Sequence, residues 1–257
     1  MPYTIDERNR ERQQLLEAMT APITRRLLDS LALKPDSRCL DLACGIGQTT
    51  RLIATYLGPQ GECVGVDQDP ALIETARTGP PAKARLAFQT ADASALPFDA
   101  SSFDFVFTRY LLIHVPDPLA VLREMHRVAR PGGIVAVQEP DNAYQCTDPE
   151  SWAFPRLIQV FEALFAHACI GRNLVSLFRE AGLKPRGATA ELPIEFEGSN
   201  GKRLFRLTAE AMGPAILSRG IMSAQEFRKF CAELRRLEDD PTIVCLSHPL
   251  VSVWAFA

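Results

Sequence analysis

The stretch that decides the reading is Leu40-Asp41-Leu42-Ala43-Cys44-Gly45-Ile46-Gly47-Gln48-Thr49-Thr50. A short apolar strand runs into Asp41 and then into a turn with Gly45 and Gly47, and the pattern predicts a helix from Gln48 to Tyr56. Two residues without Cβ can take positive φ and let a bulky group lie against bare backbone, with the helix N-terminus facing that group. A dinucleotide loop would read G-x-G-x-x-G. Here Thr50 stands at the third glycine, and a carboxylate precedes the turn where it would repel a pyrophosphate. No Gly-Lys-Ser/Thr follows, so no lysine supports a triphosphate. Asp41 suits a cation better. What remains is a cationic adenosine cofactor without phosphate, S-adenosyl-L-methionine.

Working outward, the next two strand ends supply the partners an adenosine needs. The β-rich run Glu62–Asp67 ends in an acid, and an ionised carboxylate can accept from both vicinal hydroxyls of a ribose. A third strand, Arg85–Thr90, leads into Asp92, which can accept from the adenine amino group. Asp69, just before Pro70 and a helix, reads instead as an N-cap.

In this order and spacing, LDLACGIGQTT (40–50), VGVDQDP (64–70), ADASALPFDASSFDFVFTRYLLIHVPDP (91–118) and LREMHRVARPGGIVAVQEPD (122–141) carry a resemblance. The sequence resembles the class I S-adenosylmethionine-dependent methyltransferases, in the small-molecule subgroup that includes the ubiquinone and menaquinone biosynthesis enzymes. The resemblance covers residues 20–140. It implies a doubly wound, Rossmann-like α/β fold with a seven-stranded sheet in the order 3-2-1-4-5-7-6, strand 7 antiparallel. It implies cofactor contacts from Asp41, Ala43, Cys44, Gly45, Gly47, Thr49, Asp67, Gln68, Asp92, Ala93, Thr108 and Arg109, with Tyr3 offering an aromatic face. The product would be S-adenosyl-L-homocysteine.

Along the chain, residues 6–19 predict a polar helix, and Thr20-Ala21-Pro22 a break before a second helix. Alternating strands and helices then run to Gln138, as in a parallel doubly wound sheet. Ser151–Ala168 and Asn173–Ala181 read as helices, and Lys184–Glu197 and Thr242–Phe256 as two long strands. Between those strands lie two more helices, the second opened by the capping box Ser223-Ala224-Gln225-Glu226. The expected organisation is one methyltransferase domain over 1–257. Helices of 1–33 lie over the cleft, 34–141 forms the cofactor-binding core, and 142–257 forms an acceptor-side region with a helical lid at 199–240.

The 257 residues are 47% hydrophobic, enough for one large α/β domain. Lys and Arg number 28 against 31 Asp and Glu, a formal charge of -3 without a long basic run, which argues against nucleic acid. The segment Thr108-Arg109-Tyr110-Leu111 also lacks the Asn/Asp-Pro-Pro-Tyr/Phe element that resembling enzymes use on nucleobase amino groups. Seven cysteines without a C-x-x-C pair read as reduced thiols of a cytoplasmic protein. The four histidines lack H-x-x-x-H or H-E-x-x-H spacing, so no metal is expected. The charged amino terminus excludes a secretory signal, and no apolar run approaches 18 residues, so no membrane partner is expected. A small-molecule acceptor is the expected partner, and a homodimer is allowed.

A sulfonium already carries a good leaving group, so the protein must mainly align the acceptor and exclude water. A base is needed only for a hydroxyl, phenol or carbon acid. His114, after the fourth strand, is the candidate base, and Arg109 could grip an acceptor carboxylate or pair with an acid on the cofactor side. Tyr110, Glu139, Tyr144 and His167 are candidates for the acceptor side. The leading expectation is methyl transfer to a small metabolite or natural-product-like acceptor. The alternatives are a cofactor-binding protein that does not transfer methyl, using the cofactor structurally or to assist a cyclisation, and, less favoured by the loop, an NAD-dependent oxidoreductase.

Overall fold

The computed structural model describes residues 7–197, 199 and 201–257, so the Tyr3 candidate lies outside the described residues. In chain order the elements are α1 (Glu7–Leu31), β1 (Arg38–Leu42), α2 (Gln48–Ala54), β2 (Glu62–Asp67), α3 (Pro70–Arg77), β3 (Arg85–Thr90), β4 (Phe103–Arg109), α4 (Pro118–Val128) and β5 (Ala129–Pro140). Then follow β6 (Cys146–Asp148), α5 (Ala153–Leu164), α6 (Leu174–Glu180), β7 (Lys184–Glu191), β8 (Ile194–Glu195), α7 (Gly201–Ser218), α8 (Ala224–Asp239), β9 (Val244–Leu246) and β10 (Leu250–Phe256).

Strands β1, β2 and β4 are apolar runs buried on both faces, as parallel strands between helical layers must be. Seven strands form one sheet in the order β3-β2-β1-β4-β5-β10-β7, with β10 antiparallel to both neighbours. Counted within the sheet, this is the expected order 3-2-1-4-5-7-6. The turn after β1 and the carboxyl ends of β2, β3 and β4 therefore open along one edge, at the point where strand order reverses around β1.

Two features depart from the sequence expectation. The break at Thr20-Ala21-Pro22 is absent, and α1 is one helix with Pro22 inside it. Pro22 removes one backbone donor, while the Thr20 hydroxyl donates to the Leu16 carbonyl at 2.7 Å and the Thr24 hydroxyl to the Thr20 carbonyl at 3.3 Å. Burial of Ile23, Leu27, Leu28 and Leu31 holds the second half in place. At about 1.5–3 kcal/mol for each such side chain, it outweighs the roughly 3 kcal/mol of an interior proline.

The two expected long strands are each split in two. Pro193 separates β7 from β8, and Pro249 separates β9 from β10, because proline lacks the amide a ladder needs and restrains the residue before it. The short pieces join β6 in a separate small sheet, order β6-β9-β8. The capping box at α8 forms as expected, Ser223 and Glu226 exchanging hydrogen bonds at 3.2 and 2.7 Å.

Two apolar clusters lie on the faces of the large sheet. A third, built from α5, α7 and α8 around Phe154, Leu157, Phe205, Met212 and Phe230, sits apart from them. Among the described residues, no helix is long and apolar enough to cross a membrane.

Candidate cofactor and acceptor site

The turn after β1 takes the left-handed conformation three times, at Ala43 (φ 54°), Gly45 (φ 55°) and Gly47 (φ 79°). Only glycine adopts it without steric cost. The two glycines do different work. A Cβ on Gly45 would meet nothing within 4 Å, because its backbone faces open cavity. A Cβ on Gly47 would strike Arg51 Nη1 at 2.6 Å and the Phe88 ring at 2.8 Å, so Gly47 serves packing and stands off the cavity wall.

Asp67, at the end of β2, braces this turn. One of its carboxylate oxygens accepts the Gly45 amide at 3.0 Å and the other the Asp69 amide at 3.0 Å. Asp41 is buried at the end of β1 and accepts the Thr50 hydroxyl at 2.6 Å. Burial pushes Asp41 up to about 7, against the pull of the Thr50 bond and the Arg109 charge, and burial raises Asp67 as well. Asp92 is exposed; its Oδ1 accepts the Ser94 amide at 2.8 Å and hydroxyl at 2.7 Å, bonds that hold it ionised below the usual carboxylate range.

These residues surround two adjoining cavities. The first, about 460 Å³, is walled on the side of the β1 turn by Asp41, Ala43, Cys44, Gly45, Thr49, Asp67, Gln68 and Arg109. The second, about 370 Å³, reaches Asp92 and Ala93. Ala43, Asp67, Gln68 and His114 border both, so a ligand extending from Gly45 to Asp92 must pass Asp67. Thr108 is not on either wall. It is buried, and its hydroxyl donates to the Leu42 carbonyl at 3.0 Å, tying β4 to β1.

Arg109 is not free to hold an acceptor. Its guanidinium donates to the Thr24 and Thr49 hydroxyls, each at 2.8 Å, and to the Glu17 carboxylate of α1. It thereby ties α1 to the cofactor turn.

On its other side the first cavity is walled by Phe161 and Phe165 around α5, by Leu204 and Phe205 of α7, and by Tyr110, His114 and His248. Tyr110 sits just after β4 at φ 56°, its hydroxyl 2.7 Å from Nε2 of His248. His114 packs edge-on against Phe165, and burial lowers it to about 4.

Three acceptor-side candidates are elsewhere. Glu139 is fully buried and accepts the amides of Leu111 and Leu112 at 2.8 and 2.6 Å and of Ile113 at 3.3 Å, so it clamps the turn after β4 and does not reach a ligand. Tyr144 is 58% exposed beneath the Arg172 guanidinium, outside both cavities. His167 lies in a turn after α5, not in a helix, and off both walls, because the helix stops at Leu164.

The sequence reading missed Arg12, Gln13 and Glu17 of α1, Thr208 of α7, and His248 on the wall. For His248 a signal existed, the polar Ser247-His248-Pro249 interruption in an otherwise apolar run. Among the described residues no group of three or more His, Cys, Asp or Glu side chains could hold a metal ion.

Against known proteins, the family profile described as "Methyltransferase domain" matches residues 33–182, more than half of the chain. The chain belongs to this family, the class I S-adenosylmethionine-dependent methyltransferases. It is similar to the demethylmenaquinone methyltransferase of Staphylococcus aureus (strain JH9), 31% identical over 144 residues that cover 55% of this chain and 60% of that protein. The match thus spans three fifths of the relative's length. The fold is shared with the YcgJ protein of Bacillus subtilis, TM-score 0.58 at 18% identity over 90% of this chain and 97% of that one. It is shared also with Haemonchus contortus phosphoethanolamine N-methyltransferase 2, solved with S-adenosyl-L-methionine, TM-score 0.52 at 17% identity over 96% of this chain and 52% of that one.

The donor set fits the family's cofactor. A backbone open at Gly45, one acid at the junction of the two cavities and a second at the far end are groups of the kinds that could hold an amino-acid tail, a ribose and an adenine.

Proposed function

We propose that the protein transfers a methyl group from S-adenosylmethionine to a small, flat, largely apolar acceptor. The observation that carries this reading is the adjacency of two cavities that share Ala43, Asp67, Gln68 and His114 in their walls, with Asp41 and Gly45 at one end, Asp92 at the other, and a separate apolar wall of Phe161, Phe165, Leu204 and Phe205 beside the first. Bound S-adenosylmethionine supplies a methyl on a sulfonium, a group that leaves without further activation. Asp67 takes the ribose hydroxyls on its remaining lone pairs, and Asp92 takes the adenine amino group.

The cleft is covered by α1 and α7, which meet through the Arg203–Glu11 ion pair at 2.5 Å and both line the first cavity. Here α1, residues 34–141 and the region from 142 onward act as cover, cofactor core and acceptor side of one domain, with α7 and α8 as the lid. Closure keeps water from the reacting atoms. The work is cytoplasmic, on a metabolite, without nucleic acid.

Calorimetry with S-adenosylmethionine and NAD, followed by S-adenosylhomocysteine release on adding a small-molecule extract, tests the reading. Binding of S-adenosylmethionine with release upon acceptor addition is expected. Tight NAD binding would overturn it, and binding without any release would leave a cofactor-binding protein.

A further inference from the structure

The acceptor wall contains one polar contact whose geometry packing does not require, the 2.7 Å approach of the Tyr110 hydroxyl to Nε2 of His248. We infer that Tyr110 and His248 form the proton-accepting end of the acceptor site, and that the group methylated there is a hydroxyl on a flat aromatic ring. The inference rests on the methyl-transfer reading above.

Four observations converge on it. Tyr110 holds a left-handed backbone, costly for a bulky side chain and tolerated chiefly where function demands a placement. His248 reaches the cavity because the chain breaks between β9 and β10, and both flanks are pinned, the Ser247 amide to the Pro193 carbonyl at 2.9 Å and the Asp141 amide to the Pro249 carbonyl at 3.0 Å. Nδ1 of His248 is buried without a hydrogen-bond partner among the described residues, so the Tyr110 hydroxyl is the ring's one hydrogen-bond partner there and marks Nε2 as the nitrogen that exchanges a proton with the cavity. The other histidine on this wall, His114, is edge-on to Phe165 at 5.1 Å between centroids, an arrangement suited to packing.

Burial keeps His248 neutral near pH 7, lowered to about 4, while the Asp141 charge favours the cation that forms transiently. Arg109, Arg12, Glu17 and Glu139 are the charged groups acting on Tyr110.

The acceptor O–H proton passes to the Tyr110 oxygen as the Tyr110 proton passes to Nε2 of His248. The freed oxygen pair bonds the methyl carbon as the carbon–sulfur bond breaks, and that bond's electron pair stays on sulfur. The imidazolium then returns a proton to Tyr110, which releases one to water. An amine acceptor, whose lone pair is already free, needs no such relay.

The test uses the full chain with 2-naphthol, 2-naphthylamine and naphthalene as probes. In the S-adenosylhomocysteine complex, fluorescence titration should show 2-naphthol bound about 10-fold more weakly by Tyr110→Phe, with naphthalene unchanged. His248→Gln should keep 2-naphthol binding but lose turnover on it by roughly 100-fold, while S-adenosylmethionine affinity by calorimetry stays within about 3-fold in both variants. Methylation of 2-naphthol by the native protein is expected. Methylation of 2-naphthylamine alone or of neither probe, full turnover in either variant, or equal loss of naphthalene and 2-naphthol binding would overturn the inference. Failure of the native protein to bind S-adenosylmethionine would instead strike at the methyl-transfer reading itself.

Discussion

Glu17, in the first half of α1, and Arg109, the last residue of β4, form an ion pair nearly closed to water, with side chains 17% and 9% exposed. Through the Thr24 and Thr49 hydroxyls the same guanidinium joins α1 to α2 at the cofactor turn. Removing one partner leaves the other charge stranded. Glu17→Leu alone should therefore destabilise the fold by about 3 kcal/mol or more in urea unfolding, whereas Glu17→Leu with Arg109→Met should recover most of it. Equal loss in the single and double variants would show that the pair carries no coupling.

At the cofactor turn, Gly45→Val places a branched side chain at φ 55° in space the backbone leaves open. Asp67→Ala removes the acceptor of the Gly45 and Asp69 amides and, on the proposed reading, that of the ribose. Loss of a charged hydrogen bond of about 1.5–3 kcal/mol predicts S-adenosylmethionine binding weakened by roughly 10- to 150-fold in Asp67→Ala. Calorimetry decides it; unchanged affinity in both variants would remove these residues from the site.

The pH dependence of cofactor affinity follows from Asp41. With its carboxyl pushed up to about 7, it is largely protonated at pH 6 and ionised at pH 8, and a cationic ligand favours the ionised form. Affinity for S-adenosylmethionine should rise over that interval, and more steeply than affinity for the uncharged-sulfur product. In the free protein the sign is opposite: a carboxyl raised above its unfolded value of about 3.8 contributes stability below that pH and loses it as pH climbs through about 7. Asp41→Asn should flatten both profiles, and retention of the full binding slope in that variant would assign it to another group.

Glu139→Ala should be among the most damaging single changes away from the cavity. It strands three buried amides, those of Leu111, Leu112 and Ile113, each worth about 1–3 kcal/mol when unsatisfied. Glu139→Gln, which keeps one good acceptor, should recover part of the loss in urea unfolding, and equivalence of the two variants would refute the clamp.

The strand–turn–helix around Gly45 was legible because its signals are local: an apolar run, an acid, and glycines two apart. The sheet order was legible from alternation and resemblance together. What escaped the sequence was non-local. The continuity of α1 through Pro22 depends on the sheet that buries Leu27 and Leu28, and Glu139 looked like a ligand because its three donors lie 26 to 28 residues upstream. Gly47 lies in the right turn and Thr108 at the right strand end, but both face inward, a direction fixed only once β4 and β3 are in place. His248 lies in a run that reads as one strand, which Pro249 interrupts as Pro193 interrupts the neighbouring run, and its place on the cavity wall is set only when both breaks meet.

Phe165 packs against both the main core beside the sheet and the separate core of α5, α7 and α8, and so stands at the seam between them. That second core gives Phe161 and Phe205 to the wall of the first cavity and no residue to the turn of Gly45. For a lineage of such proteins, the repertoire of molecules modified can drift by repacking one small helical cluster, while the donor of the modification stays constant.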